Sequence, residues 1–233
     1  MKPVALIGVN FVREQRWPIL VLLLWVLVLV FWGLVMPQQH EDLLFVFKQV
    51  AIYVVAFSIF FGGSAIYNER KSRRILAVLS KAVSREQYLS GLVLGVTMAC
   101  GIYCFSLGLT GSWTLGGGFP IHYVWYLMLC LVVACMLAGT VALTFSTFLN
   151  PFFAAGATAT VLGLPAVVSR MGAHRWEAVI PVYSLAATVL NTEFHAPTPI
   201  SWRVLGLAVA ETVLFWVVAA SIFARVDIAV AVE

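Results

Sequence analysis

The sequence predicts an all-α, polytopic membrane protein that forms a single transmembrane domain over residues 1–233. Apolar residues make up 62% of the chain and charged residues 10%, against about 45–50% and about 25% in soluble domains. The mean hydropathy is +1.00. Apolar residues also run in long uncharged blocks, such as Pro18 to Met36, and about 18 such residues mark a bilayer span. Soluble, disordered and fibrous proteins are therefore excluded.

Six apolar segments are predicted to be membrane-spanning helices. The first is too long for the apolar part of a signal peptide, and no A-x-A-like cleavage site follows Met36, so we expect it to be retained. Asn150 and Pro151 separate the fourth and fifth segments as the turn of a helical hairpin. The predicted spans are residues 18–36, 43–67, 88–109, 123–149, 152–168 and 203–224.

Residues 1–17, which precede the first span, are predicted to form a helix that lies along the membrane interface. Apolar residues such as Phe11 share this segment with charged ones such as Arg13, as an interfacial helix requires. The alternative is a flexible terminus, because Gly8 and Asn10 lower the helix propensity.

The loop of residues 68–87 is predicted to contain a short amphipathic helix. Ile75, Leu76 and Leu79 recur at helical spacing and form one apolar stripe. Ser84 and Gln87 have the spacing of a capping box, which would begin the third span. The amphipathic helix has two interpretations, since it could lie on the anionic inner leaflet or dock into a groove on a cytoplasmic partner.

An outer loop is predicted at residues 169–202. It contains an apolar run from Val179 to Leu190 that is too short to cross a bilayer, so this run is expected to be re-entrant or interfacial.

A few side chains inside the spans carry candidate chemistry. Glu211 lies eight residues into the sixth span, where it would line a substrate path, gate it, or hydrogen-bond to a neighbouring helix. Lys48 lies near the outer end of the second span and is expected to snorkel to the interface. Cys100 and Cys104 share a helix face, which fits small packing residues better than a soft-metal site.

The basic residues predict the orientation. Ten of the fourteen Lys and Arg residues fall on the side of both termini and of the loop 68–87. The positive-inside rule places that side in the cytoplasm. We therefore expect a multi-pass protein of the plasma membrane, the inner membrane in a bacterium. The asymmetry explains the net charge of +4 without a nucleic acid partner.

Glu69, Ile75 and Leu79 are followed by the run Ala82-Val83-Ser84-Arg85. This pattern resembles the segment between the second and third spans in permease subunits of type-2 ABC transporters, although Ser72 or Arg73 stands where many members have glycine and Ala82 where proline is frequent. The matching residues are Glu69, Arg73 or Arg74, Ile75, Leu79, Ala82, Val83, Ser84 and Arg85, followed by the small-residue entry Tyr88 to Gly95.

The resemblance implies that residues 1–17 are an elbow helix and that the loop carries a coupling helix, which contacts an ATP-binding subunit. Its contact residues would be Arg73, Arg74, Ile75, Leu76, Leu79 and Ser80, flanked by Glu69, Ser84 and Arg85. It also implies a second permease copy, identical or paralogous, and export of a substrate by alternating access.

The chain has no G-x-x-x-x-G-K-[ST] motif, so we expect the partner subunit to bind ATP and Mg. We expect this chain to have no cofactor, metal or catalytic residue of its own. It is thus not expected to be an enzyme. Two alternatives stay open: a membrane anchor subunit or intramembrane enzyme, and a secondary transporter that uses no ATP. The latter would show inverted repeats and broken helices, and Pro165 could break the fifth span.

Overall fold

The fold is known from a computed structural model, which describes residues 2–35, 40–71, 83–116, 119–170, 181–194 and 197–225. Within these ranges the regular structure is helical and no strand occurs. The predicted all-α class is therefore confirmed. The helices are α1 (Lys2–Glu14), α2 (Arg16–Val35), α3 (His40–Lys71), α4 (Arg85–Thr114), α5 (Ile121–Ser146), α6 (Pro151–Arg170), α7 (Val182–Leu190) and α8 (Trp202–Arg225).

Five of these helices are long and apolar enough to cross a membrane: Arg16–Val35, Glu41–Tyr67, Arg85–Thr114, Ile121–Ser146 and Trp202–Arg225. They coincide with five of the six predicted spans. The remaining prediction, residues 152–168, falls in α6, which is not among the five helices found in the described part of the chain. Six spans are therefore not confirmed. The helix continues through Pro165, so this proline does not break it.

The centre of the bundle is α5, which is buried along nearly its whole length. Helices α3, α4, α6, α7 and α8 all pack against it. In contrast, α2 exposes most of its apolar side chains, for example Phe31 at 63% and Leu24 at 59%. Exposure on this scale suits a lipid-facing helix, because lipid tails are as apolar as the side chains themselves.

Glycines bring α3 and α5 into close contact. A Cβ atom on Gly62 would lie 2.3 Å from the carbonyl oxygen of Gly139, and one on Gly139 would lie 2.7 Å from a methyl group of Val96 in α4. Small residues allow such backbone contact, which is a main source of helix association in membranes. The three central helices therefore meet where the sequence places small side chains.

Helix α1 packs lengthwise against α4. Gly91 and Gly95, spaced as G-x-x-x-G, lie against Ile7 and Phe11, and Cβ atoms on them would come within 2.6 and 2.8 Å of these side chains. Further along, Gly33 of α2 approaches Thr114 of α4 in the same way.

The contact register shows that α1 and α2 follow α4 in the same direction. This packing does not confirm an elbow that lies across the bundle at the membrane interface. A flexible terminus does not fit it either, since Phe11 is only 4% exposed.

The ends of the helices define two ends of the bundle. We call the end that holds Lys71 and Arg85 the loop end and the opposite one the far end. Helix α1 begins near Gly91, and α8 finishes where Phe223 meets Arg85. The first and last helices therefore have their outer termini at the loop end.

Candidate functional site

The predicted coupling helix lies in the part of the chain that the structure does not describe, residues 72–82. This range includes all six predicted contact residues: Arg73, Arg74, Ile75, Leu76, Leu79 and Ser80. The flanking residues are described. Glu69 belongs to the last turn of α3, and Ser84 and Arg85 lie where α4 begins. The contacts of Ser84 and Arg85 show how the loop is joined to the bundle.

The start of α4 is a complete capping box. The hydroxyl group of Ser84 accepts a hydrogen bond from the backbone N–H of Gln87 at 3.2 Å. In return, the Ser84 backbone N–H donates to the Gln87 side-chain oxygen at 3.3 Å. The two bonds satisfy donors that the first helical turn leaves free, so the prediction from the Ser84 and Gln87 spacing is confirmed.

Arg85 ties the start of α4 to the end of α8. Its Nη1 atom donates hydrogen bonds to the backbone carbonyl oxygens of Phe223 at 2.8 Å and Ala224 at 2.9 Å. The guanidinium also lies 5.9 Å from the centre of the Phe223 ring, on which the buried Tyr88 stacks at 6.3 Å. We call Arg85, Tyr88, Phe223 and Ala224 the loop-end clamp.

The clamp joins complementary charges. The last carbonyl groups of a helix lack intrahelical partners and carry the negative end of the helix dipole, so a guanidinium there is stabilising. Hydrogen bonds that involve a charged group contribute about 1.5–3 kcal/mol each. The clamp therefore links the start of α4 to the end of α8.

The sequence gives Arg85 as a loop flank but does not predict its partner. Phe223 lies 138 positions away, and no local pattern marks the carbonyl groups of one helix as the acceptors for another. The sequence does hold one signal for such a partner. Arg85 is a cation at the start of a helix, where the helix dipole disfavours a positive charge unless another group compensates it.

Glu211 lies on α8, twelve residues before Phe223, which places it about 18 Å from the clamp along the helix axis. It is half-buried, and its Oε2 atom is fully buried without a hydrogen-bond partner among the residues described. Burial of a carboxyl group without a partner costs free energy, and ionisable side chains inside membranes often belong to functional sites.

The four cysteines are buried free thiols within the bundle. Cys100 and Cys104 of α4 lie near Cys135 of α5. Across the described ranges, no group of three His, Cys, Asp or Glu side chains is arranged to hold a metal ion. All four thiols lie among the buried apolar side chains of the core.

At the far end, the predicted short apolar segment forms α7, Val182–Leu190, which is too short to cross a bilayer. A network of hydroxyl groups attaches the residues after it to α5. The Tyr123 hydroxyl group contacts the Thr198 hydroxyl group at 2.6 Å, and the Tyr126 hydroxyl accepts from the Ser201 backbone N–H at 2.8 Å. The stretch that leads into α8 is therefore held on the first turns of α5.

Comparisons with protein-family models, with curated proteins and with solved structures find no match to this chain.

Proposed function

We propose that this chain is the membrane permease subunit of an ATP-driven ABC exporter. It forms the substrate path and works by alternating access, while separate subunits bind ATP and Mg and hydrolyse the ATP. The resemblance of residues 69–85 suggests this function. The observation that carries it is the loop-end clamp, in which Arg85, directly after the predicted coupling helix, is bonded to the end of α8.

The clamp supplies a route by which force from a partner subunit reaches the bundle. A push on residues 73–80 acts on the capped first turn of α4, which moves as a rigid unit because both of its capping bonds are formed. Arg85 passes this motion to α8, the helix that carries Glu211. Since α1 is seated on Gly91 and Gly95, it moves with α4.

The alternation of access would then be a rocking of α1, α4 and α8 against the central α5. In this proposal the carboxyl group of Glu211, on α8, lines the path that opens as these helices move. This is a shear motion of packed helices, a common form of switching in proteins.

The proposal includes a second permease copy. On α6, Phe152 is 83% exposed, and ideal Cβ atoms on Gly156 and Gly163 would have no other group within 4 Å. A helix face of small residues beside exposed phenyl rings supports close contact with another helix in lipid.

The orientation is also part of the proposal. The loop end carries most of the basic residues, so the positive-inside rule places it, with both termini, in the cytoplasm of a bacterial cell. There the predicted coupling helix can reach a soluble ATPase.

Co-purification with an ABC ATPase encoded beside this chain tests the proposal. We expect the ATPase to remain bound to the wild-type chain in detergent and to be lost when Leu76→Asp and Leu79→Asp are combined. Ala77→Asp is the matched control, because it adds a charge on the opposite side of the predicted helix and leaves the apolar stripe intact. Retention of the ATPase by the double variant would rule out the coupling helix.

A second candidate function, proton-coupled secondary transport, is favoured by the buried and unpartnered Oε2 atom of Glu211. It predicts that vesicles containing this chain alone move an amphipathic dye such as ethidium when a pH gradient is imposed. Glu211→Gln would abolish that movement, since an amide does not exchange protons. Dye movement that needs the ATPase and ATP would instead support the exporter.

A further inference from the structure

A pocket of about 320 Å³ opens at the far end of the bundle, away from the loop-end clamp. Its walls come from the first turns of α3 and from the residues that follow α7. It is lined by Glu41, Leu44, Phe45, Lys48, Glu193 and Phe194. The proposed exporter mechanism uses none of these residues.

The surrounding core holds both walls of the pocket. Leu44 is buried at the base of α3. On the other wall, the Phe194 ring lies 5.7 Å from the ring of Phe119, which is itself buried. Next to it, the buried Thr192 donates a hydrogen bond to the carbonyl oxygen of Thr188 at 2.7 Å. The pocket is therefore formed before any ligand arrives.

The charges in the pocket are mixed. Glu41 and Glu193 are exposed carboxylates, and the half-buried Lys48 on the α3 wall is close enough to Glu193 for the two charges to interact. Lys48, which is predicted to snorkel to the interface, also lines this pocket and interacts with Glu193. Among the lining residues that the structure describes, two acids and one base leave a net charge of −1, so they attract a cationic group while one donor is kept for an anion.

A divalent cation does not suit this arrangement. Such an ion needs several oxygen ligands, and an ammonium group among them would repel it. No group of acidic side chains arranged for a metal is present in the described part of the chain. The apolar faces of Leu44 and Phe45 fit a ligand that also has methylene groups.

We propose that this pocket binds a small zwitterion in which a primary ammonium lies a few bonds from a phosphate, the chemistry of phosphoethanolamine. The ammonium donates to the carboxylates of Glu41 and Glu193, and the phosphate accepts from Lys48. The volume lies at the lower limit of ligand pockets, which suits a group of this size. The ligand could be a lipid headgroup from the adjacent leaflet or a free molecule, and both present the same charges. This site does not depend on the exporter proposal.

Isothermal titration calorimetry of the detergent-purified chain with O-phosphoethanolamine tests the site. We expect saturable binding that weakens about tenfold or more in Lys48→Met and in Glu193→Gln, since each removes a charged hydrogen-bond partner. Asp42→Asn is the matched control. Asp42 is an exposed acid next to Glu41 that does not line the pocket, so its loss should change the affinity less than twofold.

A second arm separates the two sources. The chain is placed in nanodiscs of phosphatidylethanolamine or of phosphatidylcholine, and bound lipid is measured by native mass spectrometry. Retention of phosphatidylethanolamine that depends on Lys48 and Glu193 assigns the site to a headgroup, whereas binding of the soluble compound alone assigns it to a free zwitterion.

Three results would overturn the proposal: no binding of either probe, binding unchanged in both variants, or an equal loss in Asp42→Asn. Glu193 is exposed, so Glu193→Gln keeps the test decisive if Lys48→Met does not fold.

Discussion

At the residue scale, a single guanidinium group, that of Arg85, joins the start of α4 to the end of α8. Arg85 donates hydrogen bonds to two terminal carbonyl groups of α8 and lies over the ring of Phe223. A lysine has a single ammonium group and cannot lie flat on a ring while it donates in this way, so the two cations are not interchangeable at this position.

Replacement of Arg85 tests the clamp. Arg85→Ala is expected to lower the free energy of unfolding by about 1–3 kcal/mol, because it removes charge-assisted bonds at a partly exposed site. Arg85→Lys should recover only part of this loss. The measurement is equilibrium unfolding in mixed micelles, and Arg203→Ala, an exposed cation at the other end of α8, serves as the control. Equal stability of Arg85→Ala and the control would show that the clamp contributes nothing.

At the element scale, the sequence predicts where helices begin better than what covers them. The start of α4 follows from Ser84 and Gln87, because a capping box is a local pattern of three-residue spacing. The direction of α1 does not follow. The apolar stripe of α1 indicates that one face of this helix is covered. It does not indicate whether the membrane interface or another helix, such as α4 at Gly91, covers that face.

The same reasoning explains the mixed result for α6. Its helical form and the turn before it are predicted from the apolar run and from Asn150 and Pro151. Whether it crosses the membrane does not follow from its helical form, because α6 is not among the five helices found long and apolar enough in the described residues.

The crossing of α3 and α5 gives a test of helix packing. Gly62→Ala is expected to lower the free energy of unfolding by about 1–3 kcal/mol, because the new methyl group meets a backbone oxygen that cannot move aside. Gly101→Ala is the matched control, since no other group lies within 4 Å of its Cβ position. There the change should be neutral or stabilising by up to about 1 kcal/mol, the helix propensity gain. Unfolding in detergent would detect either result, and similar values for both variants would contradict the close contact.

At the scale of the whole molecule, the bundle has two differently built ends. The loop end is held by a cation, capping bonds and stacked rings, and it faces the predicted coupling helix. The far end is held by tyrosine and threonine hydroxyl groups around α7 and carries the charged pocket. In the proposed exporter mechanism, force enters at the loop end, and the ligand site proposed separately lies at the far end.

The open face of α6 predicts self-association. Gly156→Leu combined with Gly163→Leu should reduce the dimer fraction several-fold, because bulky side chains prevent close helix approach. Crosslinking in nanodiscs measures this fraction. Gly206→Leu places the same side chain at an open position on α8 and should leave the dimer intact. An unchanged dimer in the double variant would remove α6 from the interface.

The seat of α1 on Gly91 and Gly95 has a consequence for biosynthesis. The ribosome makes Ile7 and Phe11 about eighty residues before Gly91 and Gly95, the glycines against which they lie. During that interval Phe11 can meet Phe61 of α3, but its contact with Gly95 forms only after α4, the third long helix, enters the bilayer. A chain truncated after α3 would therefore leave α1 without the glycine surface of α4.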